Sequence, residues 1–428
     1  MTRLGPELHR LATRLFPIAR SLTGPGVRET LAILGEVAAP MEIHRWPTGT
    51  QVFDWTIPDE WAIRDAWLKD PTGRKVVDFA QSNLHVLGYS EPVHRRLPLD
   101  ELQEHLYSIP ELPHAIPYLT SYYARRWGFC LQNERRERLV PGEYEAFIDA
   151  DLKPGHVEVG EVMLPGDLPD EVLFSTYVCH PSLANNELSG PVVAAHLACL
   201  LRDRPRRLSY RILFLPETIG SIAYLHRFGK QLQDRLRAGY VITCAGDPGA
   251  FTYKRSRRGD SLADRAAEHV LRVAGQPHKV VDFFPSGSDE RQFCSPGFDL
   301  PVGSLMRTMY GTYPEYHTSL DDLSFITADA LEGTLAMYVA IVDALEANET
   351  LEVAIRQCEP QLGKRGLYPT LGSARETEER VLDMMWLLNF CDGASDLLAV
   401  AERAGRPLSA LAPVAAELKT AGLLVPAD

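Results

Sequence analysis

The segment Val172-Leu-Phe-Ser-Thr-Tyr-Val-Cys-His-Pro-Ser-Leu-Ala-Asn-Asn-Glu-Leu-Ser-Gly190 constrains the fold more than any other stretch of the chain. Its β-branched and aromatic run reads as a buried strand that stops at His180. A polar loop follows, and Ser189-Gly190-Pro191 opens an apolar helix. Strand, loop and helix in that order make half of a βαβ unit. Open sheets of this kind bind ligands outside the carboxyl ends of their strands. A histidine, two amides and a carboxylate stand in this sequence where such a site is expected.

The alternation continues on both sides. Glu143 to Asp149, Glu158 to Leu164 and Glu171 to Val178 read as strands, and Pro191 to Leu201 as a helix. Tyr210 to Leu215 is a strand, Ser221 to Leu236 a helix, and Tyr240 to Cys244 a strand. Ser261 to Ala274 is a helix, Val302 to Met306 a last strand, and Leu331 to Leu345 a closing helix. The texture predicts an α/β fold whose mixed, mostly parallel sheet carries helices on both faces. Residues 6–22 add an amphipathic helix, broken at Thr23-Gly-Pro-Gly26 before a second helix. Residues 43–127 show short runs punctuated by Pro and Gly, the look of an inserted antiparallel β-domain. The α/β domain is therefore expected over 1–42 and 128–348. Three short apolar helices and a terminal strand over 349–428 suggest a winged helix.

Composition narrows the function. The 428 residues are 45% hydrophobic and 24% charged, with a net charge of -13, which argues against partners that are nucleic acids or anionic membranes. The third helix of the suggested winged helix, Leu408 to Lys419, carries Lys419 as its only cation, beside Glu417. A DNA reader should be basic there, so packing or dimer formation is the expected role, and the apolar helices favour a homo-oligomer. The seven cysteines include no Cys-x-x-Cys pair, which points to a reducing, cytoplasmic setting. No segment reaches the ~20 apolar residues that span a bilayer. Trp46, Trp55, Trp61 and Trp67 read as core of the inserted β-domain rather than as a substrate wall or subunit interface.

Five strand-end or loop segments carry residues of metal-ligand type. They are Cys179-His180 with Asn185-Asn186-Glu187; Leu215-Pro-Glu217-Thr-Ile-Gly-Ser221; Cys244-Ala-Gly-Asp247; Pro285-Ser-Gly-Ser-Asp-Glu-Arg291; and Tyr316-His317-Thr-Ser-Leu-Asp-Asp322. Histidine and carboxylate donors suit zinc. Taken singly each has a plain structural reading. Glu217 favours a helix N-terminus, Asp247 shapes a Gly-Asp-Pro-Gly turn, and Asp321 and Asp322 cap a helix or face solvent. The order His, Glu, Asp, Ser-Asp, Tyr-His-Thr within one α/β unit makes a shared site the better reading.

In that order the chain resembles the zinc aminopeptidases of bacterial leucyl aminopeptidase type. Over nearly its full length it resembles a bacterial family of aminopeptidase-like proteins with an inserted β-domain and a C-terminal winged helix. Cys179-His-Pro-Ser-Leu, Leu215-Pro-Glu-Thr-Ile-Gly-Ser, Gly287-Ser-Asp-Glu-Arg-Gln-Phe and Tyr313-Pro-Glu-Tyr-His-Thr-Ser-Leu-Asp carry the resemblance. It implies a zinc-dependent hydrolase acting on an amide of a small peptide or amino-acyl substrate through a metal-activated water. His180, Asp247 and His317 are the expected ligands, completed by Glu187 or Glu217; the other glutamate is the general base. Tyr316 and Arg307 would stabilise an oxyanion or hold a substrate carboxylate, and Asp289 would orient a ligand histidine. Three departures remove negative charge: Asn186 stands where the relatives' bridging aspartate would be, Pro216-Glu217 replaces a Glu-Glu pair, and Ser182 replaces the aspartate that steers the first histidine. Two close divalent cations need carboxylates to offset their repulsion. One Zn2+ is therefore expected, a second at most loosely held. A biosynthetic amide hydrolase and a degenerate peptidase fold serving as a binding module are the alternatives.

Overall fold

A computed structural model describes residues 3–38, 40–367 and 375–427. The chain divides into two compact units, Met1–Ala263 with Pro277–Ala336, and Asp264–Gln276 with Met337–Asp428.

The first unit is built on an eight-stranded sheet. Its strands are β1 (Glu42–Pro47), β2 (His156–Leu164), β3 (Glu171–Tyr177), β4 (Ser209–Leu215), β5 (Leu236–Ile242), β6 (Phe251–Lys254), β7 (His278–Val281) and β8 (Val302–Met306). They lie in the order β1-β2-β4-β3-β5-β8-β6-β7. The central β4, β3, β5 and β8 are parallel, while β1, β2 and β6 enter antiparallel to a neighbour. β3 and β4 are buried at every residue, as continuous apolar runs in a sheet covered on both faces should be. Helix Ser189–Arg202 packs on the sheet with nearly its whole first three turns buried. Gly190 makes that approach feasible, because a Cβ there would stand 2.3 Å from the Ile242 carbonyl oxygen.

A second, antiparallel sheet orders Lys75–Asp78, Glu60–Lys69, Glu143–Lys153 and Val93–Pro98. It therefore reaches past residue 127, where the inserted β-domain was expected to end. Exposure alternates along Glu143–Lys153, the pattern of an antiparallel strand with one wet face. Its neighbour in sequence, β2, is buried through most of its length and joins the main sheet. The tryptophans divide. Trp46 and Trp61 are core, whereas Trp55 is 39% exposed and meets the Tyr123 ring at 5.4 Å. Trp67 stacks on Phe147 at 4.9 Å under the Lys69 ammonium.

In the second unit, strands Thr350–Val353, Asp392–Asp396 and Leu424–Pro426 form an antiparallel sheet beside helices Arg375–Phe390, Leu397–Ala404 and Leu408–Thr420. This is the expected winged helix. Lys419 is paired with Glu349 at 2.8 Å, and Glu417 with Arg380, so the third helix spends its cation on an internal ion pair. Among the described residues no helix is long and apolar enough to cross a membrane.

Candidate active site

The carboxyl ends of β3, β4, β5 and β8 converge on one side of the sheet, and the sequence-marked segments follow them. His180 lies three residues past β3, and Glu217 two past β4. His317 comes from the loop after β8 and holds a left-handed φ of 56°. Such backbone strain persists only where the surroundings impose it, commonly at functional sites. Here the inserted module imposes it: the Tyr118 N–H donates to the His317 carbonyl at 2.8 Å, and Ser319 N–H to Ile116 O at 2.8 Å.

These elements bring four donor side chains together. The His180 and His317 rings are 5.2 Å apart, with Tyr118 at 4.8 and 5.2 Å from them. His180 Nδ1 meets Glu187 Oε2 at 2.6 Å, and His180 Nε2 faces Glu217 Oε2 at 3.7 Å. The Glu187 side chain is fully buried, whereas that of Glu217 is 23% exposed. Glu217 is thus the carboxylate through which the cluster meets solvent. Cys179 Sγ, His180 and Glu187 also lie within mutual ligand reach, but that sulfur accepts the Glu217 backbone N–H at 3.3 Å. Burial pushes the Cys179 thiol well up, away from thiolate.

The electrostatics assign protonation states. Burial, aided by His180, lowers the His317 pKa to about 3; its imidazole is neutral, the form that binds metal. Burial opposes charge on His180, but Glu187 and Glu217 outweigh it and raise its pKa. Glu217 is raised above the usual carboxylate range by burial first, with Asp289 and Glu187 adding and His180 and Arg291 opposing. Tyr316 stacks on His317 at 4.0 Å. Burial and the charge of Glu217 hold its phenol protonated.

The supporting shell is largely what sequence reasoning missed. Arg20 is buried, donates from Nε to the His180 carbonyl at 3.0 Å and anchors Nη1 on Leu15 O at 2.7 Å. Asp321 accepts the N–H groups of Asn185 and Asn186 at 2.6 and 2.9 Å, which fixes the turn Ala184–Leu188 that presents Asn186 and Glu187. Glu187, by its bond to His180 Nδ1, takes the steering role that Ser182 cannot fill; a carboxylate there fixes tautomer and ring orientation. Nothing in the local pattern of Tyr118 or Arg20 marks either as part of a site. The Asp321 cap was one of the readings open to it.

Three residues expected at the site are engaged by other partners in this structure. Asp247 is held apart: Oδ1 accepts from Thr308 Oγ1 (2.6 Å) and Gly249 N (2.8 Å), Oδ2 from Asn185 Nδ2 (3.0 Å) and Thr308 N (3.1 Å). Those bonds fill the roughly four lone-pair sites of a carboxylate, so its turn-shaping reading prevails. Arg307 donates to Thr334 Oγ1, Gly249 O and Ala330 O at 3.0–3.2 Å and lies 4.0 Å over the Phe251 ring. Its guanidinium is thereby committed to packing. Asp289 Oδ1 accepts from Thr218 N at 2.8 Å and Ser221 Oγ at 2.9 Å, and so fixes the residue after Glu217 rather than a histidine.

Histidine, carboxylate and amide oxygen are donor types that a divalent cation takes, and among the described residues Cys179, His180 and Glu187 are the one group of three His, Cys, Asp or Glu side chains within mutual ligand reach. His317 Nε2, Asn186 Oδ1 and Glu187 Oε1 are among the buried side-chain atoms that lack a hydrogen-bond partner. Orphaned buried polar atoms are costly, and a cation facing them removes that cost. Two imidazoles and an amide oxygen stand beside a pair of carboxylates, donor types of the kind zinc takes.

Residues 9–348 match the family model described as "Domain of unknown function (DUF4910)". The chain belongs to this family. Residues 349–426 match the winged helix-turn-helix model. A relative from Clostridium acetobutylicum, named "Putative polysaccharide biosynthesis protein with aminopeptidase-like domain", is 45% identical over 94% of this chain and 92% of its own. A crystal structure described as a "putative peptidase" from the same organism superposes with a TM-score of 0.92 at 43% identity, covering 99% of this chain and 96% of the other. The zinc aminopeptidase BSAP of Bacillus subtilis superposes with a TM-score of 0.57 at 14% identity over 79% of this chain and 94% of its own. The family thus shares its fold with zinc aminopeptidases.

Proposed function

We propose that the protein is an aminopeptidase-like hydrolase that cleaves an amide bond using one zinc ion. The observation that carries this reading is the approach of two histidines, His180 buried and His317 half-buried, rings 5.2 Å apart, beside a solvent-reached glutamate 3.7 Å from His180 Nε2. His180, His317 and the Asn186 oxygen would hold the metal, leaving a position open. Zinc, when bound, supplies a Lewis acid that polarises a carbonyl and makes water acidic enough to attack it near neutral pH. Glu217 takes the proton of the attacking water and returns it to the leaving amine. Its elevated pKa suits that exchange near neutrality. Glu187 holds the His180 ring in place, and the Tyr316 hydroxyl donates to the oxygen on which negative charge grows.

The substrate is a peptide or a small amino-acyl conjugate. The name of the Clostridium relative favours a second reading within the same chemistry, an amide on a biosynthetic intermediate. Hydrolysis of amino-acyl anilides by the full-length protein should be abolished by a chelator and restored by zinc. Activity that survives complete metal removal would overturn the metal-dependent reading. Restored zinc binding without hydrolysis of any amide would favour a binding module.

A further inference from the structure

The segment Ser286–Arg291 does more than support Glu217. Asp289 fixes Thr218 and Ser221, and Glu290 is buried in an ion pair with Lys254 at 2.6 Å, which also takes the Tyr310 hydroxyl at 2.9 Å. Asp289 Oδ1 and Glu290 Oε1 are thus engaged, while Asp289 Oδ2 and Glu290 Oε2 are buried without a hydrogen-bond partner, and neither carboxylate pairs with Arg291. Among the described residues Arg291 makes no ion pair. Its Nη2 donates to Thr218 Oγ1 at 2.8 Å, while its Nε is buried with no partner. Thr218 directly follows Glu217 and holds a left-handed φ of 65°. The guanidinium is therefore pinned one residue from the proposed base with a donor unspent. Its charge is felt by Glu217, Asp289, Tyr122 and Tyr316 alike.

We propose that Arg291 is a substrate-binding residue, an anion subsite beside Glu217 that takes a carboxylate lying next to the scissile amide. This rests on the reading of the site as an amide hydrolase. A planar guanidinium edge matches a carboxylate. A singly charged group fits better than a phosphate dianion, which would meet Glu217, Glu187 and Asp289 at close range in a poorly solvated site. The preferred substrate is accordingly an amide whose amine portion is an amino acid with a free carboxylate.

The test compares alanyl-alanine with alanyl-alanine amide, which differ only in that carboxylate. Binding is measured by calorimetry on the zinc-equilibrated full-length protein carrying Glu217→Gln, so that turnover does not intervene, with and without Arg291→Met. The dipeptide should bind about tenfold more tightly than its amide, as a charge-assisted contact allows. Arg291→Met should erase that preference, and Arg291→Lys should keep part of it. Equal binding of the two probes, a preference that survives Arg291→Met, or no binding of either at millimolar concentration would overturn the subsite. A purely structural role for Arg291 would weaken both probes together. Failure of the hydrolase reading is seen separately, as absence of turnover by the protein with Glu217 intact.

Discussion

Replacing Glu217 with glutamine is expected to lower kcat by about 10²–10⁴-fold, the usual contribution of a positioned general base, with zinc content unchanged. The expectation follows from where the two glutamates stand. Glu187 is sealed behind His180 and spends Oε2 on its Nδ1. Glu217 alone of the pair meets solvent, on the Nε2 side of the same ring. A base must reach the water it deprotonates, and Glu217 does. The amide of glutamine preserves shape and the backbone bond to Cys179 but cannot accept a proton. Single-turnover kinetics together with metal analysis check this. Parallel loss of zinc and activity would make Glu217 a ligand and would move the base elsewhere.

His317→Ala should remove both zinc and activity. The ring is half-buried and neutral, with a buried, unpartnered Nε2, and its strained backbone is held by the 115–118 segment whether or not the ring is present. Folding is therefore expected to survive while one of a small number of donors disappears. Loss of a group that only orients a ligand costs about 10–100-fold in metal affinity; loss of a donor itself should exceed that. Zinc affinity by competition with a chromogenic chelator is the measurement. A variant that binds zinc as tightly as the parent protein would refute the ligand role.

The parts of this arrangement that could be read from sequence are those with a local signature. β3 and β4 are unbroken apolar runs and were visible as buried strands. His180 and Glu217 follow such runs at the point where a parallel strand must deliver its chain to the ligand side, and His317 comes from the longer loop after β8. The roles of Asp247 and Arg307 were not legible, because each depends on partners distant in sequence. Thr308 lies sixty-one residues from Asp247 and Thr334 twenty-seven from Arg307. The steering of His180 by Glu187 was hidden for a different reason. The turn Ala184–Leu188 is set by Asp321 from far downstream, so the direction in which Glu187 points is not a property of its own segment. The strand Glu143–Lys153 did carry a signal. Its polar-apolar alternation differs from the solid runs of the parallel strands and marks it as a member of an antiparallel sheet.

On the proposed one-zinc reading, the charge balance of the site would separate this chain from a two-metal peptidase. By the resemblance to two-metal aminopeptidases, Asn186, Pro216 and Ser182 would each stand where a carboxylate serves a pair of cations, and Glu187, bonded to His180 Nδ1, would restore only the one that steers His180. The most direct measurement is zinc content of the full-length protein after equilibration with zinc and removal of the unbound ion, read beside its hydrolytic activity. The proposed one-zinc hydrolase predicts one equivalent at full activity. Two equivalents at full activity, or full activity with none, would contradict it.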